Sequence, residues 1–73
     1  MKKYADVDYT NSEVSAVIDE IIHSERDRQI LKMWLCDSVP QERIAEHYDM
    51  SPAQVGRLVR KGREKVFRRM KLI

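Results

Sequence analysis

The sequence predicts an all-α domain of four helices, and three observations lead to this prediction. Apolar residues recur at three- and four-residue spacing, and no segment alternates as a strand does. Residues that commonly cap helices precede the periodic segments. The chain has 73 residues, 42% hydrophobic and 36% charged, a length and balance that suit one small folded core.

Two helices are expected in the first half of the chain, after a flexible arm at residues 1–11. The first should occupy about residues 12–23, because Thr10, Asn11 and Ser12 are capping types. Its apolar positions are Val14, Val17, Ile18, Ile21 and Ile22. The second should occupy about residues 25–36, after Ser24. Its apolar stripe contains Ile30, Leu31, Trp34 and Leu35, so Trp34 is interpreted as a core residue and Cys36 as a core thiol.

Two more helices are expected in the second half, about residues 40–48 and 52–69. Asp37 to Pro40 should break the chain between the second and third helices, because a proline disfavours helical backbone in the residue before it. Ser51, Pro52 and Gln54 form the clearest helix start, a capping box with proline at the first helical position. Asp49 lies where a tight turn requires a positive φ, which Asp tolerates better than most residues.

Charge is distributed unevenly along the chain. Residues 1–50 contain six Lys/Arg and eleven Asp/Glu, whereas residues 51–73 contain eight Lys/Arg and one acid, Glu64. The two segments therefore carry net charges of −5 and +7. Such asymmetry indicates a polyanionic partner for the C-terminal segment. The alternative is a solvated basic helix that docks on the acidic half of its own chain.

Several classes of protein are not expected. No stretch approaches the roughly 20 apolar residues that cross a bilayer, and the N-terminus lacks the apolar core of a signal peptide, so the expected location is cytoplasmic with no membrane partner. His23, His47 and Cys36 match no metal-ligand spacing. The carboxylates are scattered, without an accompanying nucleophile or glycine loop. We expect no enzyme, no cofactor and no metal site.

The segment from Gln41 to about Arg69 has the pattern of a helix-turn-helix: a short helix, a tight turn and a longer helix. Ala45 is small where the two helices would cross. Residues 27–35 (DRQILKMWL) followed by residues 42–51 (ERIAEHYDMS) resemble region 4 of bacterial sigma factors. The resemblance covers roughly Glu25 to Met70. A shorter resemblance, carried by Gln41 to Ala45 and Val55 to Leu58, is to the helix-turn-helix of lambda-type phage repressors.

The sigma resemblance implies an upstream helix packed on a helix-turn-helix that reads the promoter −35 element. It also implies contact with the β-subunit flap of RNA polymerase. Free-standing relatives are similar to small regulators of phages and prophages. Pro52, Ala53 and Gly56 stand where the family usually carries charged readers, so only Arg57 keeps a long polar side chain there. The domain of a complete sigma factor that melts DNA has no counterpart in these 73 residues.

The sequence therefore predicts a sequence-specific regulator that binds double-stranded DNA through the helix from Pro52. Arg57 is expected to donate to guanine, Gln54 to pair with adenine if released from capping, and Ala53 to touch a thymine methyl. Ser51 and the basic residues should contact four to six phosphates, giving a logarithmic salt slope of about −4 to −5. The predicted contact residues are Arg43, Ser51, Ala53, Gln54, Gly56, Arg57, Arg60, Lys61 and Arg63.

Two other functions remain open at this point. The chain is also compatible with a protein-interaction module that binds RNA polymerase or another phage protein, or with the DNA-binding subunit of a phage packaging complex. The first helix either covers the core of a monomer or forms the interface of a homodimer. The target site, and the choice between activation and repression, do not follow from the residues.

Overall fold

Four α-helices and no strand occur in residues 10–71, the part of the chain that the computed structural model describes. The predicted all-α fold of four helices is confirmed. The helices are α1 (Asn11–Ile21), α2 (Glu25–Leu35), α3 (Gln41–Tyr48) and α4 (Pro52–Arg69).

The first helix begins one residue earlier than predicted and ends two residues earlier. Thr10 is its N-cap and forms a capping box with Glu13: the Thr10 hydroxyl accepts from the Glu13 amide at 3.1 Å, and Glu13 Oε1 accepts from the Thr10 amide at 2.8 Å. Thr10 is thus one of the capping residues that the sequence suggests, and Asn11, placed in the arm by the prediction, lies in α1; residues 1–9 of the predicted arm lie outside the described part. At the other end, Ile22 is extended and buried, and its carbonyl accepts a hydrogen bond from Arg28 Nε.

The boundaries of α2 and α3 also differ from the prediction by one residue. Ser24 caps α2 as expected, its hydroxyl accepting from the Asp27 amide, but the helix ends at Leu35 instead of Cys36. Pro40 is the N-cap of α3 with extended backbone, so α3 begins at Gln41. A proline in this position supplies no side-chain acceptor for the first turn. The backbone amides of Arg43 and Ile44 donate to the carbonyl oxygen of Pro40.

One apolar core joins all four helices, and α4 lies along it for its whole length. Two apolar side chains are buried in each of α1, α2 and α3, and four are buried in α4. The helices α2 and α4 pack closely where Gly62 lies against the side chain of Leu31. The buried apolar residues are Val14, Ile18, Ile22, Ile30, Leu31, Ile44, Ala45, Val55, Val59, Val66 and Phe67.

Trp34 and Cys36, predicted as core residues, are half-buried at the edge of this core instead of inside it. Trp34 packs against the core and also lies beneath a cation from α4. Cys36 is the C-cap of α2, with its sulfur 3.7 Å from the Asn11 carbonyl oxygen. Burial, and secondarily the charge of Asp37, raise the pKa of the Cys36 thiol.

Two ion pairs fasten α1 to its neighbours. Asp19 lies 2.8 Å from the ammonium of Lys32 on α2, and Glu20 lies 2.6 Å from the guanidinium of Arg69 on α4. All four side chains are partly exposed, so each pair contributes at most about 1 kcal/mol and is screened by salt. The pairs fix the orientation of α1 more than they stabilise it, because the burial of its apolar side chains, such as Val14 and Ile18, contributes more free energy.

Candidate functional site

A tight turn separates α3 from α4 and fixes the direction in which α4 leaves. Asp49 adopts the left-handed conformation, with φ 56° and ψ 43°, which confirms the predicted positive φ. The Met50 amide donates to the Ala45 carbonyl at 2.9 Å and closes the end of α3. Ile44 and Ala45 are buried beneath the turn, so the small side chain lies in the core as the sequence suggests.

The start of α4 is capped as predicted. The Ser51 hydroxyl accepts from the Gln54 amide at 3.1 Å, and Gln54 Oε1 accepts from the Ser51 amide at 3.0 Å, with Pro52 at the first helical position. No acidic residue occupies the first turn of α4. The positive end of the helix dipole is therefore left without a neighbouring carboxylate on this helix.

Exposed cationic side chains follow one side of α4 through its first three turns. The opposite side of the helix is buried, with Val55, Val59 and Gly62 facing the core. We call the exposed side the cationic face. Its members follow the first at four, seven and eight residues, which places them on one side of a helix. They are Ala53, Arg57, Arg60 and Lys61, all exposed.

The three cations of this face are available to a partner. Arg57, Arg60 and Lys61 make no ion pair with any residue in the range 10–71, in contrast to Lys32, Arg68 and Arg69. At 1.5 Å per residue, the face from Ala53 to Lys61 extends about 12 Å along the axis. The three unpaired cations occupy about 6 Å of this length, from Arg57 to Lys61, and form a compact patch that suits an anionic partner.

Arg43, another predicted contact, lies outside α4. It is exposed in the first turn of α3 and has no ion-pair partner among the described residues. Ser51 and Gln54 are exposed at the start of α4, but the side chain of each accepts a hydrogen bond from the backbone amide of the other in the capping box. A contact from Gln54 through its carbonyl oxygen would therefore require the box to open.

The structure does not bring Gly56 and Arg63 to the cationic face. Gly56 is half-buried and faces α3: a Cβ on it would lie 3.2 Å from Gln41 Oε1. Arg63 is half-buried, with its guanidinium carbon 5.9 Å from the centre of the Trp34 ring and 6.0 Å from that of Phe67. This cation is held by two aromatic rings within the fold.

Sequence reasoning missed one charged pair on α4. Glu64 and Arg68 are exposed and joined at 3.4 Å across one helical turn. Their spacing of four residues, with the acid first, favours such a pair and could have indicated it. No sequence spacing could have indicated that Arg63 lies over the Trp34 ring, because the two residues are 29 positions apart in the sequence.

Other kinds of site find no support in the described residues. Within residues 10–71, no group of three or more His, Cys, Asp or Glu is placed to hold a metal ion. No helix in the same range has the length and apolar character needed to cross a membrane.

In comparisons with known proteins, no family model, no curated protein and no solved structure matches this chain. The function is therefore argued from the cationic face itself.

Proposed function

We propose that this chain is a sequence-specific DNA-binding transcriptional regulator in which α3, the turn at Asp49 and α4 act as a helix-turn-helix. The single observation that carries the proposal is the cationic face. It presents three unpaired cations opposite the buried side of α4, at the end of the helix that leaves the turn. A major groove about 12 Å wide admits a helix presented in this way.

Within this proposal the exposed residues divide into two roles. Arg57 is central on the face and reads a base, because a guanidinium donates two hydrogen bonds to guanine O6 and N7. Ala53, one turn earlier, contacts a thymine methyl. Arg60 and Lys61 neutralise phosphates on the sides of the groove. Gly56 faces α3 and contributes no reading group.

Further phosphate contacts come from outside the cationic face. At the start of α4 the Ala53 amide is the one first-turn amide left to bind a phosphate, because Pro52 has no N–H and the amides of Ser51 and Gln54 are bonded within the capping box. Arg43 on α3 supplies a further cation. Because Arg63 is held by Trp34 and Phe67, the number of neutralised phosphates falls to about four. The expected salt slope is then about −4, at the lower end of the range that the sequence predicts.

The sigma region 4-like subtype is part of the proposal. Its support is the packing of α2 against the helix pair, through Leu31 and Gly62, together with the resemblance of the sequence. The proposed setting is a free-standing cytoplasmic regulator of the phage or prophage type, without catalytic activity. Double-stranded DNA is the proposed partner. RNA polymerase is a second proposed partner, because the sequence resembles region 4 of sigma factors.

A fluorescence anisotropy titration with a random-sequence duplex at low salt tests the proposal. We expect micromolar binding that weakens with salt at a logarithmic slope of about −4. The triple variant Arg57→Gln, Arg60→Gln, Lys61→Gln should lose most of this binding. The three side chains are exposed and make no ion pair with the described residues, so circular dichroism should be unchanged.

The matched control neutralises three other cations near the end of the same helix, as Lys65→Gln, Arg68→Gln and Lys71→Gln. It changes the net charge equally and should retain most of the affinity. If the wild-type chain does not bind duplex at low salt, the proposal fails and the protein-interaction alternative is favoured. Equal losses in the two triple variants would mean that total charge, and not the cationic face, governs binding.

A further inference from the structure

A carboxylate interrupts the exposed side of α4 directly beyond the cationic face. Glu64 lies four residues after Arg60 and seven after Arg57, so it continues the same exposed ridge. It is the only acidic residue in residues 51–73. Its side chain is 60% exposed, so packing against the core does not explain its position.

Glu64 is paired with a cation that lies further along the helix. Its Oε2 is 3.4 Å from Arg68 Nη2, while Arg60, one turn earlier on the same ridge, has no ion pair among the described residues. The pair has the acid on the N-terminal side, the favourable order for a helix. Beyond Lys61, Glu64 and Arg68 offset one another on this ridge, while Lys65, exposed and without an ion pair among the described residues, lies to one side of it, next to Lys61.

We infer that Glu64 is a positioning residue that restricts DNA contact along the ridge of Arg57 and Arg60 to the first three turns of α4 by holding Arg68 away from phosphates. This inference rests on the proposed function. Arg68 lies about 16 Å along the axis from Arg57, which is too far to share the same short stretch of groove in an end-on approach. A free Arg68 would let the helix lie along the groove and add a phosphate contact. Glu64 opposes that binding mode both by occupying Arg68 and by repelling the phosphates.

The substitution Glu64→Gln tests the inference. It keeps the shape of the side chain, removes its charge and releases Arg68. We expect affinity for a random duplex to rise several-fold and the salt slope to steepen by about 0.9, the value of one added phosphate. If Glu64 only stabilised the helix, its substitution would change neither the salt slope nor the affinity. The thermal unfolding midpoint of the variant measures such a stabilising role.

Asp37→Asn is the matched charge control. It raises the net charge by the same amount, in an exposed turn between α2 and α3, where the surrounding groove is lined by residues of α1 and α2 and not of α4. We expect affinity and slope close to those of the wild type. A change as large as that of Glu64→Gln would show that net charge alone is responsible and would overturn the inference.

Glu64→Gln could act by releasing Arg68 from its ion pair or by removing the repulsion between Glu64 and the phosphates. The substitution Arg68→Gln distinguishes the two effects. In the wild-type background it should change affinity little, because the guanidinium is already paired with Glu64. In the Glu64→Gln background it should remove the added slope and most of the gain. Persistence of the full gain in the double variant would contradict the proposed action through Arg68.

The remaining outcomes are distinct. If the wild type binds duplex and Glu64→Gln leaves affinity and slope unchanged, the inference fails while the proposed function stands. If Glu64→Gln weakens binding only to a selected sequence, Glu64 reads a base such as cytosine, and the positioning role is overturned. If the wild type does not bind duplex at all, the proposed function fails and this inference falls with it.

Discussion

The two glycines of α4 differ in how much space is available for a side chain. A Cβ on Gly62 would lie 2.5 Å and 2.6 Å from the two methyl carbons of Leu31, which is itself fully buried. A Cβ on Gly56 would meet only the end of the Gln41 side chain, at 3.2 Å. One glycine is therefore required by the close packing of α2 and α4, and the other is not.

Gly62→Ala should lower the free energy of unfolding, and Gly56→Ala should not. Overpacking a buried site costs up to about 3 kcal/mol, more than the gain of about 1 kcal/mol from replacing a helical glycine. We therefore expect a net loss of about 1 to 2 kcal/mol for Gly62→Ala. At Gly56 the flexible Gln41 can move, and the change should be neutral or stabilising by up to about 1 kcal/mol. Urea denaturation measures both, and equal effects would contradict the assigned packing.

Arg57 and Lys61 lie one turn apart on the cationic face but have different proposed roles. Arg57→Ala should cost about 1 to 3 kcal/mol on a preferred duplex and relax sequence preference, because a base contact is lost. Lys61→Ala should weaken binding to all duplexes alike and reduce the salt slope by about 1. Competition titrations with a selected and a random duplex distinguish these roles. Equal losses on both duplexes for both variants would refute the division.

At the residue scale, exposure opposite the buried side of a helix could be predicted from the sequence, but contacts with a distant helix could not. The position of Arg57 and Lys61 opposite Val55 and Val59 follows from helical periodicity alone. The half-buried position of Arg63 does not, because it depends on where Trp34 of another helix lies.

At the scale of elements, the turn between α3 and α4 depends on Asp49. Its left-handed backbone disfavours a residue with an ordinary Cβ, whereas glycine adopts it without strain. Asp49→Ala should therefore destabilise the fold by about 1 kcal/mol, and Asp49→Gly should be neutral or slightly stabilising. Thermal denaturation of the two variants measures this difference. If both substitutions destabilise equally, the Asp49 carboxylate, and not the backbone conformation, is what the turn needs.

The helix starts could be predicted to within one residue because their signals are local. Ser51, Pro52 and Gln54 lie within four residues and form the expected capping box. The end of α1 could not be placed, since Ile22 leaves the helix to be buried and its carbonyl is bound by Arg28 of the next helix. Helix ends of this kind are determined by tertiary contacts that the sequence pattern does not contain.

At the scale of the whole molecule, charge is segregated along the chain, and the structure partly neutralises it. The pair of Glu20 and Arg69 joins residues 49 positions apart, and it links the acidic half to the end of α4. No such contact reaches Arg57, Arg60 or Lys61 from any described residue. The alternative in which the basic helix docks on its own acidic half therefore applies to the end of α4 and not to its beginning.

The most direct test of the cationic face is a map of the residues that duplex DNA touches. An isotope-labelled sample titrated with random-sequence duplex at low salt would report amide and guanidinium chemical-shift changes residue by residue. We predict the largest changes at Ser51, Ala53, Arg57, Arg60 and Lys61, with small changes along α1. Changes confined to α1 and α2, or no response on the exposed side of α4, would contradict the proposed interface.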